Sequence, residues 1–350
     1  MFNYGMTYRE AVNAANPYRV REERELADFI ARSRQEAERD RTAYFQPDCS
    51  SEGAYTRSST AYREDLVRML GWPLCGMAEQ RETPEAVAAH VAREALCDIW
   101  RLEIAAARGL TLYGLLFLPP SSGPHHLVVV QHGGSGTPEW CAGFNGESNY
   151  NGFIARCLQQ GRAVFAPQLY LWAPEHGTQK DRAGRDSQLK QLGGSLAALE
   201  IFKLRRGIDY LLSRPDIIGE KLVMAGLSYG GFYTLFTAAV DLRIKGALVS
   251  CFVNDRFRYD WPDWTWFNAG RTLLDAEIAA LICPRPLFLE LGSEDELFGA
   301  DTGVREAEKI GQWYARLGCQ GRFRTKVFQG MHEFDKEDDG LQFLLGLQDG

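Results

Sequence analysis

The sequence has few histidines, no closely spaced cysteine pairs and no long apolar run. It has only six histidines, and its eight cysteines are scattered without a C-x-x-C pair, so the cysteines indicate neither a zinc site nor a disulfide framework. Several cysteines lie in apolar segments, which favours buried, reduced thiols. No apolar run approaches the roughly 20 residues that cross a bilayer, and the N-terminus lacks the basic and apolar regions of a signal peptide. These absences predict a cytoplasmic protein that does not enter a membrane.

The charge balance argues against nucleic acid as a partner. The 350 residues carry a net charge of −7, with 45% hydrophobic and 24% charged residues. An acidic surface attracts neither a phosphate backbone nor an anionic membrane. A chain of this composition and length is globular, with room for one large domain and an extension.

The first 95 residues differ from the rest in composition and hydrophobic pattern, which predicts a helical extension. Helices are predicted over residues 18–45, 59–74 and 83–96. The first is dense in charge and carries Leu26, Phe29 and Ile30 as a narrow apolar stripe, which is typical of an exposed amphipathic helix. The third opens with Thr83 as N-cap and Pro84 at the first helical position. These helices are expected to pack on the main domain or to join two copies of the chain in a homo-oligomer.

From residue 96 the pattern changes to apolar strands that alternate with helices. Residues 99–120 alternate in polarity and break at Arg108 and Gly109, which predicts an antiparallel pair. Short apolar runs and helical segments then follow one another to the end of the chain. Continuous apolar strands separated by helices predict an α/β fold, with a mostly parallel sheet covered on both faces. In such a sheet the chemistry lies at the carboxyl ends of the strands.

The segment KLVMAGLSYGGFY sets one serine between an apolar strand and a helix. Gly226, Ser228 and Gly230 match G-x-S-x-G, in which glycines leave room for a sharp turn that exposes the hydroxyl. The helix that follows would favour negative charge developing at its N-terminus. Ser228 is therefore the candidate nucleophile. The alternative is an ordinary turn in which Ser228 caps the helix.

His332 is the candidate base, because a serine hydroxyl needs one and this histidine follows a late strand. A carboxylate on a neighbouring strand end should hold its imidazole. Asp295, three residues after an apolar strand, is preferred for that role. The competing carboxylates are Asp255, Glu290, Glu294 and Glu296.

The sequence HGGSG follows the apolar strand LVVVQ and predicts a loop that receives negative charge. The amide of Gly134 or Gly133, together with the amide of Tyr229, is predicted to bind the oxyanion of an ester under attack. A phosphate cradle is the rival use of such a loop. It is weaker, because neither the P-loop nor the dinucleotide-binding pattern is present.

Two aromatic-rich stretches are candidates for the substrate pocket, a cap segment over residues 253–280 and the loop after Pro167. The candidate substrate-binding residues are Tyr170, Trp172, Trp261, Trp264 and Trp266. Aromatic faces beside carboxylates suit a polyhydroxylated ligand such as a sugar ester. The alternative is that these tryptophans only pack a surface excursion onto the domain.

Taken in chain order, these motifs resemble the α/β-hydrolase superfamily, and within it the branch of dienelactone hydrolases and acetyl xylan esterases. The likeness covers about residues 96–350 and is carried by VVVQHGG, AGLSYGG, CPRPLFLELGSEDELF and QGMHEF. It implies an α/β-hydrolase fold, an acid role for Asp295, oxyanion donors on the backbone and an ester-hydrolysing activity. The nucleophile is serine rather than the cysteine of true dienelactone hydrolases. The residues up to 95 exceed the minimal fold and are too short for the propeller of the related oligopeptidases.

The predicted function is that of a serine esterase acting on small-molecule esters, with a Ser-His-Asp triad. No metal and no organic cofactor is expected, and the acidic residues 335–340 lack calcium-loop spacing and are predicted to be a solvated turn. A peptidase or amidase would use the same residues. A non-catalytic binding scaffold of the same fold is the other alternative.

Overall fold

The computed structural model describes residues 7–76, 82–176 and 178–349. Within these ranges nine strands form one sheet, in the order β1-β2-β3-β5-β4-β6-β7-β8-β9. The strands are β1 (Ala86–Arg93), β2 (Asp98–Ala107), β3 (Leu110–Leu118), β4 (His125–Gln131), β5 (Ala163–Pro167), β6 (Ile217–Leu227), β7 (Gly246–Ser250), β8 (Leu287–Gly292) and β9 (Phe323–Phe328).

The helices of the same ranges alternate with the strands after β4. They are α1 (Asn16–Tyr44), α2 (Glu52–Leu70), α3 (Pro138–Cys141), α4 (Phe153–Gln159), α5 (Arg182–Gln191), α6 (Leu196–Leu212), α7 (Tyr229–Val240), α8 (Ala269–Thr272), α9 (Asp275–Ala280), α10 (Ala300–Arg316) and α11 (Asp339–Asp349). Short 3-10 turns occur at Pro174–His176, Arg256–Arg258, Pro262–Trp264 and Gln320–Arg322.

The sheet is parallel from β5 to β9 in spatial order and antiparallel over β1, β2 and β3. Helices α6 and α7 pack against one face, and α4 and α11 contact strands on the other. Both faces of the central strands are therefore buried, which explains why β5, β7 and β8 are apolar runs without polar alternation. The predicted α/β class is confirmed, as is the antiparallel pair that turns at Arg108 and Gly109.

The chain divides into two compact units. One comprises the residues up to Gln46 with Gly270–Thr272, and the other comprises Pro47–Ala269 with Leu273–Gly350. In the first unit, α1 is the predicted long helix, and its stripe of Leu26, Phe29 and Ile30 is exposed. The sheet and every candidate site residue belong to the second unit. The predicted boundary at residue 95 stays a prediction.

The predicted helix over residues 83–96 is wrong. Residues Ala86–Arg93 form strand β1, which pairs antiparallel with β2 at the edge of the sheet. The alanines and the apparent N-cap favour a helix locally, but β2 offers an unpaired row of backbone amides and carbonyls. Pairing with that row satisfies the backbone of β1, and such tertiary pairing overrides a weak local propensity.

The cysteines are free thiols throughout the described ranges, and six of them are buried: Cys97, Cys141, Cys157, Cys251, Cys283 and Cys319. This confirms the interpretation of reduced, packed thiols. Among the helices that the structure describes, none has the length and apolar character needed to cross a bilayer.

Candidate active site

The candidate nucleophile lies in a strained turn between a strand and a helix. Ser228 separates β6 from α7 with φ 60° and ψ −122°, and a positive φ is uncommon for a residue other than glycine. Such strain persists only where the surrounding structure holds it, and it is concentrated at functional sites. The Ser228 side chain makes no capping hydrogen bond to α7. The alternative interpretation of Ser228 as a helix cap is therefore not supported.

Glycines on either side of Ser228 allow the turn to close. A Cβ atom on Gly226 would lie 2.1 Å from the Gly230 carbonyl oxygen, and one on Gly230 would lie 2.1 Å from the Gln131 carbonyl oxygen. Both distances are far below van der Waals contact, so no side chain fits at either position. The G-x-S-x-G spacing thus reflects two close backbone approaches, one within the turn and one against the end of β4.

The candidate base contacts the carboxylate that the sequence favours. The Nδ1 atom of His332 lies 2.9 Å from Oδ2 of Asp295, while Oδ1 accepts the amides of Leu297 at 2.8 Å and Phe298 at 3.0 Å. Burial opposes ionisation of Asp295, but His332 and these amides outweigh it and hold the pKa of the carboxyl below its usual value. An ionised carboxylate only accepts hydrogen bonds, so Nδ1 carries the proton and Nε2 can accept another.

The competing carboxylates lie elsewhere or have other partners. Glu290 is buried, and its Oε2 accepts the amide of Asp335 at 3.3 Å. Asp255 accepts the amide two residues further along the chain at 3.1 Å. Glu294 and Glu296 are exposed, and Glu294 accepts a glutamine side-chain amide. Of the carboxylates that the sequence offered, Asp295 is the one with a hydrogen bond to His332.

The end of β7 links the turn of Ser228 to the loop of His332. The Ser250 carbonyl accepts the Ser228 amide at 2.9 Å, and the Ser250 hydroxyl donates to the Glu333 carbonyl at 3.2 Å. The Cys251 thiol donates to the same carbonyl at 3.4 Å. The nucleophile turn and the base loop are therefore neighbours at the carboxyl edge of the sheet.

The glycine loop after β4 lies against the turn of Ser228. A Cβ atom on Gly133 would lie 3.2 Å from the Ser228 Cβ atom, and one on Gly134 would lie 3.3 Å from the Tyr229 ring. The Gly133 amide donates to the Tyr150 hydroxyl at 2.7 Å and is thus engaged within the fold. Tyr229 begins α7, where the first amides lack an intrahelical partner. That the Gly134 and Tyr229 amides receive an oxyanion stays a prediction.

His132 precedes this loop and is buried. Its Nε2 atom accepts the Leu169 amide at 2.9 Å, so Nδ1 carries the proton and donates to the Gly133 carbonyl at 2.8 Å. Burial lowers the pKa of His132 to about 4, and the imidazole is neutral at neutral pH. Because a trans peptide is planar, a fixed Gly133 carbonyl also fixes the direction of the Gly134 amide. Nothing in the local sequence around His132 indicates this positioning role, because its partner Leu169 lies on a distant loop.

The tryptophans of the predicted cap segment differ in exposure. Trp261 is 41% exposed and stacks on the Tyr229 ring at 6.0 Å. Trp264 and Trp266 are buried, Trp264 against Trp261 at 4.6 Å and Trp266 against Phe236 at 5.1 Å. Trp261 can thus meet a ligand directly, whereas the burial of Trp264 and Trp266 favours the packing role that was the alternative.

Further aromatic rings lie on other loops of the site. Tyr170 and Trp172 follow β5 with their rings 4.9 Å apart, and Trp172 forms an isolated β-bridge with Ser135 of the glycine loop. The Phe298 ring stacks on the His332 ring at 5.6 Å. The sequence gives no signal for this contact, because Phe298 and His332 lie far apart along the chain.

A partly buried ion pair joins the first residue of α5 to the cap segment. The Nε atom of Arg182 lies 2.7 Å from Oδ2 of Asp263. The other guanidinium nitrogens donate to the Tyr170 carbonyl at 3.0 Å and the Tyr233 hydroxyl at 2.8 Å. Asp263 also accepts the Tyr229 hydroxyl at 3.3 Å. Because each guanidinium nitrogen is engaged, Arg182 stabilises the packing around Tyr229 rather than presenting a free charge.

Metal-ligating atoms converge at two places within the described ranges. These groups are Cys251, Asp295 and His332, and Asp335, Glu337 and Asp339. A cation in the first group would replace the hydrogen bond between Asp295 and His332. In the second group the Lys326 ammonium contacts all three carboxylates at 2.6 to 2.7 Å and offsets part of their negative charge.

Comparison with known sequences finds a partial relative. No protein-family model matches the chain. The chain is similar to the protein named "Putative hydrolase YtaP" of Bacillus subtilis (strain 168), with 29% identity over 147 residues. That match covers 38% of this chain and 47% of the relative, so the chain spans about half the length of that relative.

Solved structures match far more of the chain. Methylesterase BT1017 is similar with a TM-score of 0.70 at 17% identity, covering 90% of this chain and 68% of its own. Glucuronoyl Esterase from Solibacter usitatus has a TM-score of 0.63 at 13% identity, and the match covers 88% of this chain and 98% of that esterase. The chain has the α/β-hydrolase fold. Acetyl Xylan Esterase 1 from Thermoanaerobacterium sp. JW/SL YS485 is similar with a TM-score of 0.54 at 15% identity, and the match covers 82% of this chain and 92% of that esterase.

The α/β-hydrolase fold accounts for the position of each candidate group. In this fold the typical chain order is a serine on the sharp turn after a central strand, then an acid after a later strand, and then a histidine after the last strand. Here those positions fall at the ends of β6, β8 and β9. The resemblance to acetyl xylan esterases that the motifs predicted is confirmed at the level of the fold.

Proposed function

We propose that this protein is a serine hydrolase that cleaves carboxylic esters with Ser228, His332 and Asp295. The observation that carries the proposal is the strained Ser228 turn, which has no capping role, beside a His332–Asp295 hydrogen bond of 2.9 Å. Such a serine and such a pair, on neighbouring loops, supply the nucleophile, the base and the group that orients the base.

The proposed reaction has two steps. His332 Nε2 takes the proton of the Ser228 hydroxyl as its oxygen attacks the ester carbonyl, and the alcohol leaves with that proton. Water then attacks the acyl-enzyme by the reverse route. The amides of Gly134 and Tyr229 receive the oxyanion, while Asp295 stabilises the imidazolium. Every group in this scheme belongs to the chain, so it requires no metal or organic cofactor.

The proposed substrates are esters of carbohydrates. The exposed Trp261 ring stacks on Tyr229, the residue that follows Ser228, and offers an aromatic face that could cover the C–H surface of a sugar. The names of the similar solved structures, which include an acetyl xylan esterase and a glucuronoyl esterase, agree with this substrate class. The test is Trp261→Ala assayed on an acetylated xylo-oligosaccharide and on 4-nitrophenyl acetate. A fall of about tenfold in kcat/KM for the sugar ester alone is expected, and an equal change on both substrates would contradict the proposal.

The reaction class is tested by labelling and turnover. The wild type should react with a fluorophosphonate and hydrolyse 4-nitrophenyl acetate, whereas Ser228→Ala should lose both. The exposed Ser213→Ala variant is the matched control and should keep both. Cleavage of peptide anilides at rates comparable to esters would favour a peptidase or amidase. Absence of labelling and turnover in the wild type would favour a non-catalytic scaffold.

A further inference from the structure

Three consecutive residues contact both the loop of the candidate base and the loop of the candidate oxyanion donors. Asn149, Tyr150 and Asn151 lie between α3 and α4 and contribute no group to the proposed chemistry. We propose that this tripeptide, here called the brace, is a positioning element that sets His332 and the Gly134 amide relative to one another. The inference rests on the proposed esterase function, because it concerns the geometry of the same site.

The two asparagines of the brace hold the loop that carries His332. Asn149 Nδ2 donates to the His332 carbonyl at 3.1 Å, and the Asn149 carbonyl accepts the Phe334 amide at 2.9 Å. Asn151 Nδ2 donates to the Phe334 carbonyl at 2.6 Å and to the Glu333 carboxylate at 2.8 Å. The backbone of the base loop is thus held at His332 itself and two residues later, so its position follows that of the brace.

The tyrosine of the brace holds the glycine loop. Tyr150 is 1% exposed, and its hydroxyl accepts the Gly133 amide at 2.7 Å. A Cβ atom on Gly136 would lie 2.6 Å from this hydroxyl, so the hydroxyl reaches into the loop itself. Since His132 donates to the Gly133 carbonyl at 2.8 Å, both peptide groups of Gly133 are held. The direction of the Gly134 amide is then determined by the planarity of its peptide.

The backbone conformation of Asn151 indicates that its side-chain amide has a role in holding the base loop. Asn151 has φ 49°, in the left-handed region where glycine carries no steric penalty. A turn that needed only this backbone would be best served by glycine. Asparagine tolerates the region and adds an amide group, which here makes two hydrogen bonds to the base loop. The variant Asn151→Gly therefore removes those bonds and leaves the backbone unstrained.

The main test is Tyr150→Phe, with Tyr55→Phe as the matched control. Tyr55 is also fully buried, lies in α2, and its hydroxyl makes a hydrogen bond to a backbone group, the Ala280 carbonyl, at 2.9 Å. In Tyr150→Phe, kcat for 4-nitrophenyl acetate should fall about 10- to 100-fold with KM within about twofold, because the loss concerns the oxyanion. The affinity for an arylboronate, which forms a tetrahedral adduct with Ser228, should fall by the same factor. Tyr55→Phe should leave both within about twofold of the wild type.

The second variant tests the other contact of the brace and covers the case in which Tyr150→Phe does not fold. Labelling of Ser228 by a fluorophosphonate needs the base, so Asn151→Gly should slow it about tenfold through displacement of His332. A wild-type labelling rate in Asn151→Gly, or a wild-type kcat in a folded Tyr150→Phe, would overturn the inference. Failure of the proposed function looks different, since the wild type itself would then lack turnover and labelling.

Discussion

The buried carboxyl of Glu290 should make the stability of this protein depend on pH in a direction opposite to that of an ordinary ion-paired acid. Glu290 is the fourth residue of β8 and is 2% exposed. Burial raises its pKa from the ordinary value of 4.5 to about 7, although the Asp335 amide and Ser250 oppose the rise. The folded protein therefore holds a proton on Glu290 at pH values where the unfolded chain has released it.

The size and sign of the effect follow from this difference. Each tenfold change in proton affinity is worth about 1.4 kcal/mol, so a rise from 4.5 to about 7 corresponds to about 3 kcal/mol. Between these pH values the native state binds more protons than the unfolded state, and the free energy of unfolding must fall as the pH rises. The contribution is fully present below pH 4.5 and lost above about pH 7.

The perturbation is Glu290→Gln, which keeps the shape of the side chain and removes the titration. Free energies of unfolding would be measured from urea transitions, followed by tryptophan fluorescence, at intervals from pH 4.5 to 8. The free energy of Glu290→Gln minus that of the wild type should increase by about 3 kcal/mol over this range. The exposed Glu64→Gln variant is the control and should run parallel to the wild type. A difference that stays constant within about 0.5 kcal/mol would refute a raised pKa at Glu290.

Three further predictions concern the site and its frame. Asp295→Asn should lower kcat for 4-nitrophenyl acetate by about 10³- to 10⁴-fold with little change in melting temperature, measured by steady-state kinetics and calorimetry. Gly230→Ala should lose activity and more than about 1 kcal/mol of stability, because its Cβ would lie 2.1 Å from a carbonyl at the end of β4. Gly346→Ala should instead gain up to about 1 kcal/mol of stability, because Gly346 lies in α11 with open space where a Cβ would be added. Arg182→Met should destabilise by about 1 to 3 kcal/mol in urea titrations, because it leaves the partly buried Asp263 carboxylate without its ion-pair partner. Near-additivity with Asp263→Asn would contradict this.

Much of the fold could be predicted because its signals are local. Apolar runs that alternate with helical segments indicate a mostly parallel sheet, whereas the order of its strands became known only from the structure. The same holds for Ser228, since a strand, two glycines and a helix lie within a dozen residues of one another. β1 was missed for the converse reason. Its alanines favour a helix in isolation, and only the open edge of β2 makes it a strand.

Within the site, the sequence alone could name types of group but not their partners. It favoured Asp295 among several acids, and the 2.9 Å contact with His332 depends on how two distant loops meet. It offered the amides of both Gly134 and Gly133, and only the structure shows that the Gly133 amide donates to the Tyr150 hydroxyl. It grouped three tryptophans of the cap segment, whereas burial separates Trp261 from the other two.

The brace illustrates what no single sequence could reveal. Asn149 and Asn151 lie more than 180 residues from the loop they bind, and nothing in SNYN distinguishes it from an ordinary turn. Local chemistry along the chain determined the helices, the strands other than β1 and the turn of Ser228, because backbone preferences and hydrophobic periodicity act over a few residues. The tertiary structure decided which donor meets which acceptor, because that depends on the packing of loops that the sheet brings to one edge.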